Sequence, residues 1–359
     1  MHQLDISILA GVLALGGCVV GSGDSPAPTH ELLAAGATGI TGRGLNVDPA
    51  NQLSRPCVSL ADSLHVSGFI RMPVKFTSTD WTWRNGGFEG YLTCLRATLP
   101  GITIVGTIGE ATVDPAAGVP SNPYYSHVCN PAAELASCPE FETWLDAYLT
   151  HVSPTIMKHF DVIEVFNEPD DMWNGSTFAP PQGGHTHSSM PPAAYAELLN
   201  AFYDKFSGPL GRLIVMGGMD SGQVNYLAAM APYRSDMVNI HPYGGYPENT
   251  PQFKFDPAHH TCSSSFGTLD PCFGTFENAI DKYRTADRAA GNSGTVLISE
   301  WGTGNTAAQP GLIRAFFYDP VTTHANAAMF AYSDANAPGF GVVTTTGEHK
   351  PSFDSFAAQ

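Results

Sequence analysis

Along the chain, short apolar runs alternate with longer stretches in which apolar residues return every three or four positions. The runs fall at 40–46, 65–74, 102–108, 162–166, 213–217, 237–241, 296–299 and 327–332, and each is predicted as a strand. Between them, Phe141, Trp144, Leu145, Tyr148, Leu149 and Val152 recur at helical spacing, as do Tyr195, Leu198, Leu199, Phe202 and Phe206. Strands that alternate with helices imply a parallel sheet. Eight of them fit one α/β domain, a (β/α)8 TIM barrel over 37–359, better than the two domains that 359 residues would otherwise suggest. The end, 351–359, has room for only a short last helix.

The first residues change this picture. Ile6 to Val20 is apolar but short for a membrane span, which suits the core of an export signal. Leu15-Gly16-Gly17-Cys18 resembles a bacterial lipoprotein signal that ends at a lipidated cysteine, although Met1 to Asp5 carries no Lys or Arg. The expectation is a signal over 1–18, plain or lipoprotein-type, then a flexible tether over 19–36 rich in Gly, Ser and Pro. A lipidated Cys18 would tether the chain to a membrane. No later apolar stretch reaches about 18 residues, so no internal span is expected.

Composition narrows the partners. At 43% hydrophobic and 14% charged residues, the chain can build a folded core. Net charge is −17 and no Lys/Arg run exists, which excludes nucleic acid and disfavours polyanionic substrates. Of seven cysteines, six remain once Cys18 is set aside. Cys129 and Cys138 share one loop, as do Cys262 and Cys272, which leaves Cys57 with Cys94 on consecutive predicted helices. Those three disulfides would place the protein in an oxidising compartment, secreted or on a bacterial cell surface. No CxxC or Cys/His zinc spacing appears.

In such a barrel, chemistry sits where strands end and loops begin. The fourth strand ends in Asn167-Glu168-Pro169 and the seventh in Ser299-Glu300-Trp301-Gly302. Two carboxylates therefore project into one mouth from nearly opposite sides. Paired carboxylates flanking a bond are what glycoside hydrolysis requires, one protonated and one ionised. Mutual repulsion and partial burial would raise the pKa of one of them.

These two motifs resemble the retaining glycoside hydrolases of clan A. Arg43-Gly44-Leu45-Asn46 and Phe69-Ile70-Arg71-Met72-Pro73-Val74 resemble the first two strands of glycoside hydrolase family 5. Val238-Asn239-Ile240-His241-Pro242-Tyr243 resembles the sixth strand of several clan members, and Glu164 to Asp170 with Trp173 resembles family 39. The resemblance implies Glu168 as acid/base, Glu300 as nucleophile and Asn167 as the group binding the sugar 2-hydroxyl. It implies that Arg71 keeps Glu300 ionised, that Tyr243 orients Glu300 and that His241 lies near Glu168. Two departures are visible. The third strand lacks the His common in family 5, and Tyr332 stands where the clan usually has a Trp flooring the sugar site, with Tyr332–Ser333 a candidate cis peptide.

Other residues are weighed against plainer roles. Trp81, Trp83, Trp173, Tyr124, Tyr125, Tyr246 and Trp301 fall in predicted loops of the mouth, where some would stack on sugar rings and others pack as loop core. His185/His187 and His259/His260 read as solvent-facing loop residues, since no third metal ligand is evident. The expected activity is retaining hydrolysis of a β-linked neutral poly- or oligosaccharide, as a monomer and without cofactor or metal. Endo action is favoured. An exo-β-glycosidase of the family 39 kind, a catalytically silent glycan-binding barrel and a metal-dependent hydrolase are the alternatives.

Overall fold

The computed structural model describes residues 40, 43–47, 68–74, 87–113, 115–130, 138–152, 157–170, 190–219, 224–241, 263–264, 267–268, 276–302, 307, 309–311, 313, 325–329, 341–346 and 348–358. Eight parallel strands form one sheet: β1 (Arg43–Asn46), β2 (Phe69–Val74), β3 (Thr103–Ile108), β4 (Val162–Val165), β5 (Leu213–Met216), β6 (Val238–Ile240), β7 (Val296–Ile298) and β8 (Ala325–Met329). Each lies on or against one of the eight predicted runs. Among the described residues the longer helices are α1 (Gly87–Thr98), α2 (Pro139–His151), α3 (Pro192–Phe202), α4 (Val224–Met230), α5 (Phe276–Ala289) and α6 (Pro351–Ala357).

The spatial order is β5-β4-β3-β2-β1-β8-β7-β6. Sequence neighbours are therefore spatial neighbours, with β1 and β8 paired in the middle through Arg43↔Ala327 and Leu45↔Met329. The two end strands meet through an isolated parallel bridge, Val215↔Met237. Asp236 N also donates to Ile214 O at 2.8 Å.

The helices form for ordinary reasons. α2 opens on Pro139 in its first turn, with Glu140 and Glu142 near its positive end and His151 at its close. Its buried side, Phe141, Trp144, Leu145 and Tyr148, follows the spacing read from the sequence. Among the described residues no helix is long and apolar enough to cross a membrane.

Strand side chains alternate between two cores. One face joins the helices: Ile70, Met72, Ile104, Ile163, Val165, Ile214, Val238 and Ile298 belong to the large apolar cluster with Trp144, Tyr148 and Leu198. The opposite face starts as a small separate cluster of Phe69, Val105, Val162, Val215, Met237 and Leu297. Two residues further along the same strands, that face becomes polar, with Arg71, Thr107, Glu164, Asn239 and Ser299. The site stands on this polar layer.

Cys129 and Cys138 are disulfide-bonded. Cys94 lies on α1 and is also disulfide-bonded. Cys57, its expected partner, lies outside the described residues, as do Cys18, Cys262, Cys272, the expected signal and tether, and the His pairs at 185/187 and 259/260.

Candidate active site

The end of β4 is held in an unusual backbone. Phe166 has φ 63° and Glu168 has φ 46°, both in the left-handed region that costs a side-chain-bearing residue energy. The surroundings impose it. Phe166 N donates to Ile108 O at 2.7 Å, and its ring packs against Tyr125, Trp144 and Tyr148. Tyr195 Oη donates to Val165 O at 2.7 Å and accepts from Gly217 N at 2.6 Å. A Cβ on Gly217 would lie 2.5 Å from Phe166 O, so glycine is what lets β5 approach this turn. The turn brings Glu168, 9% exposed, back over the strand ends.

Arg71, from β2, organises the layer beneath. Its Nε donates to Glu164 Oε2 and its Nη1 to Glu300 Oε1. Nη1 also reaches Asn46 Oδ1 at 3.1 Å, and Nη2 reaches Glu164 Oε1 at 2.9 Å and Asn167 Oδ1 at 2.8 Å. Burial alone would lower the pKa of this guanidinium, but the charges of Glu164 and Glu300 outweigh burial and raise it above its ordinary value. Arg71 is thus a fixed cation against Glu300. By accepting at Oδ1, Asn167 leaves its Nδ2 as the end free to donate elsewhere.

His241 closes the other side. It sits just past β6, its N donating to Met219 O at 2.9 Å. Nδ1 lies 2.8 Å from Glu168 Oε1 and 3.8 Å from Glu300 Oε2, and Nε2 lies 2.7 Å from Ser299 Oγ. Burial pulls the pKa of His241 down, yet the charge of Glu300 and the hydrogen bond and charge of Glu168 carry it above the usual value. A Cβ on Gly218 would lie 2.0 Å from Nε2, so this glycine leaves room for the ring.

One ligand-type atom each from Glu168, His241 and Glu300 lies within 4.8 Å of the others. The arrangement pairs an anion neutralised by Arg71 with a second carboxyl shared with an imidazole. It can supply a nucleophile and a proton donor to one bond. Beside it, at the ends of β2, β3 and β4, opens a pocket lined by Val74, Thr107, Glu110, Tyr125 and Asn167 among others. Burial raises the pKa of Glu110 there, against a donation from Asn122 N.

The structure thus brings Arg71, Asn167, Glu168, His241 and Glu300 together. Trp301 is fully buried in the core, so the sequence expectation of a sugar-facing ring there is corrected: the residue after Glu300 packs inward. Tyr124 is buried as well, its ring 5.3 Å from that of Phe141 and its Oη accepting from Cys138 N. Trp81, Trp83, Trp173, Tyr243, Tyr246, Tyr332 and the Tyr332–Ser333 peptide lie outside the described residues. Asn46, Thr107, Glu164, Asn239 and Ser299 join this layer although the sequence motifs gave none of them a role. Their signal was present: Glu164 and Asn239 are polar residues in the middle of otherwise apolar runs.

No protein-family model matches the chain, and no curated protein sequence matches it. Among solved structures it is similar to clan A glycoside hydrolases. A family 39 glycoside hydrolase from Bacteroides cellulosilyticus WH2 superposes with a TM-score of 0.58 at 15% identity, over 88% of this chain and 62% of that one. A family 5 xyloglucan-specific β-1,4-glucanase from a ruminal metagenomic library gives 0.52 at 14% identity, over 90% and 94%. A β-glucosidase from Pyrococcus furiosus gives 0.52 at 11% identity, over 89% and 94%. At these identities the likeness is one of fold. The chain spans less than two thirds of the length of the family 39 enzyme.

Proposed function

We propose that the chain is a retaining glycoside hydrolase on a closed (β/α)8 barrel, cleaving β-linked neutral poly- or oligosaccharide. The Val215↔Met237 bridge between the end strands supports closure. The observation that carries the activity is the pair of buried glutamates, each with its own partner: Arg71 on Glu300, His241 on Glu168. Carboxylate oxygens of the two approach within 4.8 Å. Such an approach of the two groups supports direct attack by one carboxylate, the geometry of a retaining enzyme.

In this reading Glu300, ionised beside Arg71, attacks the anomeric carbon while Glu168 passes its proton to the departing oxygen. A glycosyl ester on Glu300 results. Its formation removes the Glu300 charge. Glu168, now a carboxylate, takes a proton from water as that water's oxygen attacks the same carbon and Glu300 leaves. Asn167 Nδ2 would bind a sugar hydroxyl, and the pocket edged by Tyr125 and Asn167 would seat a ring.

Endo action is the first reading. Exo action, implied by the resemblance of Glu164 to Asp170 to family 39, is the second. The Cys129–Cys138 disulfide supports an exported protein, with Cys18 as the lipidation point. The deciding experiment is release of reducing ends from glucans, mannans and xylans. Glu168→Ala and Glu300→Ala should each lower turnover by about 10²–10⁴-fold. Internal oligomers among the products mean endo action, single sugars exo action. Turnover untouched in both variants would sink the reading.

A further inference from the structure

Glu164 and Ser299 take no part in the chemistry above, yet both are fully buried beneath it. Glu164 meets donors on every side: Arg71 Nε and Nη2, Thr107 Oγ1 at 2.8 Å, Asn239 Nδ2 at 2.8 Å and Gly218 N at 3.3 Å. Gripped by the Arg71 guanidinium through both of its oxygens, Glu164 presents acceptors to these donors. Ser299 Oγ lies 3.1 Å from Glu164 Oε1 and 2.7 Å from His241 Nε2. Its one hydrogen must go to the carboxylate, since turning it to His241 would set two lone pairs against each other. Ser299 Oγ therefore accepts from His241, and Nε2 carries a hydrogen.

We infer that Glu164, acting through Ser299, is a positioning residue that fixes His241 with its hydrogen on Nε2, so that the proton gained and lost by the His241–Glu168 pair always sits on the Glu168 side of the ring. The assignment of Glu168 as acid/base gives this its meaning and comes from the reading above; the proton geometry does not depend on it. Without the lock, the ring could shed its Nε2 hydrogen, keep Nδ1–H and hold Glu168 as a hydrogen-bonded carboxylate. With the lock, losing the proton leaves a bare Nδ1 lone pair 2.8 Å from Glu168 Oε1 and 3.8 Å from Glu300 Oε2. The pair therefore keeps its proton to higher pH, which suits a residue that must act as an acid.

The charged groups facing the ring, among the described residues, are Glu168 beyond β4, Glu300 beyond β7 and Arg71 on β2, with Glu164 behind Ser299. From β5 the ring meets Gly218. The two carboxylates favour holding the proton and Arg71 opposes it, with a net raised pKa for His241.

The test is a pH titration of the intact protein, ligand-free, with ¹⁵N-labelled histidine followed by NMR. Wild-type His241 should show the Nε2–H form on the alkaline side of its titration. Ser299→Ala should gain the Nδ1–H form and lower the midpoint by about one pH unit, and Ser299→Thr, which keeps a hydroxyl, should return both toward wild type. If Ser299→Ala does not fold, Glu164→Gln serves instead, because its amide can turn a donor toward Ser299 and release the lock. An Nδ1–H wild type, or the same form and midpoint in every folded variant, would overturn the inference. A locked His241 in a protein that cleaves no glycoside would instead sink the hydrolase reading and leave the lock standing.

Discussion

Gly218→Ala tests how tightly the imidazole is seated. The added Cβ would lie 2.0 Å from His241 Nε2 and 2.1 Å from Cδ2. Ordinary contact begins near about 3.5 Å, so the ring must retreat by about 1.5 Å. Its hydrogen bonds at 2.7 Å to Ser299 and 2.8 Å to Glu168 do not survive a shift of that size. The backbone of Gly218 is not in the left-handed region, so alanine is conformationally acceptable. By unfolded-chain entropy alone the change would stabilise by about 0.4–1 kcal/mol. Against this stand overpacking, about 1–3 kcal/mol, and a buried ring nitrogen left unpaired, about 1–3 kcal/mol. The expected net is a loss of about 2–4 kcal/mol, a large part of a typical total of about 5–15 kcal/mol. Urea unfolding at constant m-value reads the first effect. Turnover of whichever glucan, mannan or xylan the wild type cleaves reads the second, with a loss of about 10²-fold expected for an ångström-scale displacement of the group beside Glu168. A raised urea midpoint with unchanged turnover would mean that the ring has room, and the packing argument would fail.

Three further outcomes follow from the same layer and its supports. Arg71→Lys keeps the charge but loses the fork that reaches Glu164, Glu300, Asn46 and Asn167 together; it should lower stability by about 1–3 kcal/mol and reduce turnover, and an equal thermal midpoint would contradict the geometry. The pKa of His241 is raised above its unfolded value of about 6.5, so its contribution is complete below that pH and is lost as pH rises through the folded value. Stability measured by urea unfolding should therefore fall across that window in wild type, and His241→Gln should flatten the fall. Replacing Cys129 and Cys138 by Ser opens a loop of sequence separation 9 and should cost about 2–3 kcal/mol under non-reducing conditions, with no difference from wild type once reductant is added.

The sequence by itself determined the element order. Eight apolar runs spaced by helical patterns leave a parallel sheet as the economical arrangement, because each crossover needs a helix's length of chain. It also marked Glu168 and Glu300, since a carboxylate just past an apolar run stands at a strand's end. Strand limits shifted by a few residues, as at β6, where the run 237–241 shortens to Val238–Ile240 once ladder hydrogen bonds define it.

Tertiary structure decided the rest. Trp301 reads as an exposed loop aromatic from its neighbours, but which way a ring turns after a strand depends on the space behind it, and here that space is core. Glu164 lies in an apolar run and becomes tolerable only because Arg71, Thr107, Asn239 and Ser299 arrive from four other parts of the chain. No local pattern encodes that convergence, since the partners are 57 to 135 residues away in sequence. The same holds for Gly217 and Gly218, which in sequence only end a run and follow it. Their lack of a Cβ matters because Phe166 and His241, from other strands, occupy the space. Local sequence sets periodicity and strand ends; the protonation and orientation of the buried groups follow from burial and charge that only the assembled sheet supplies.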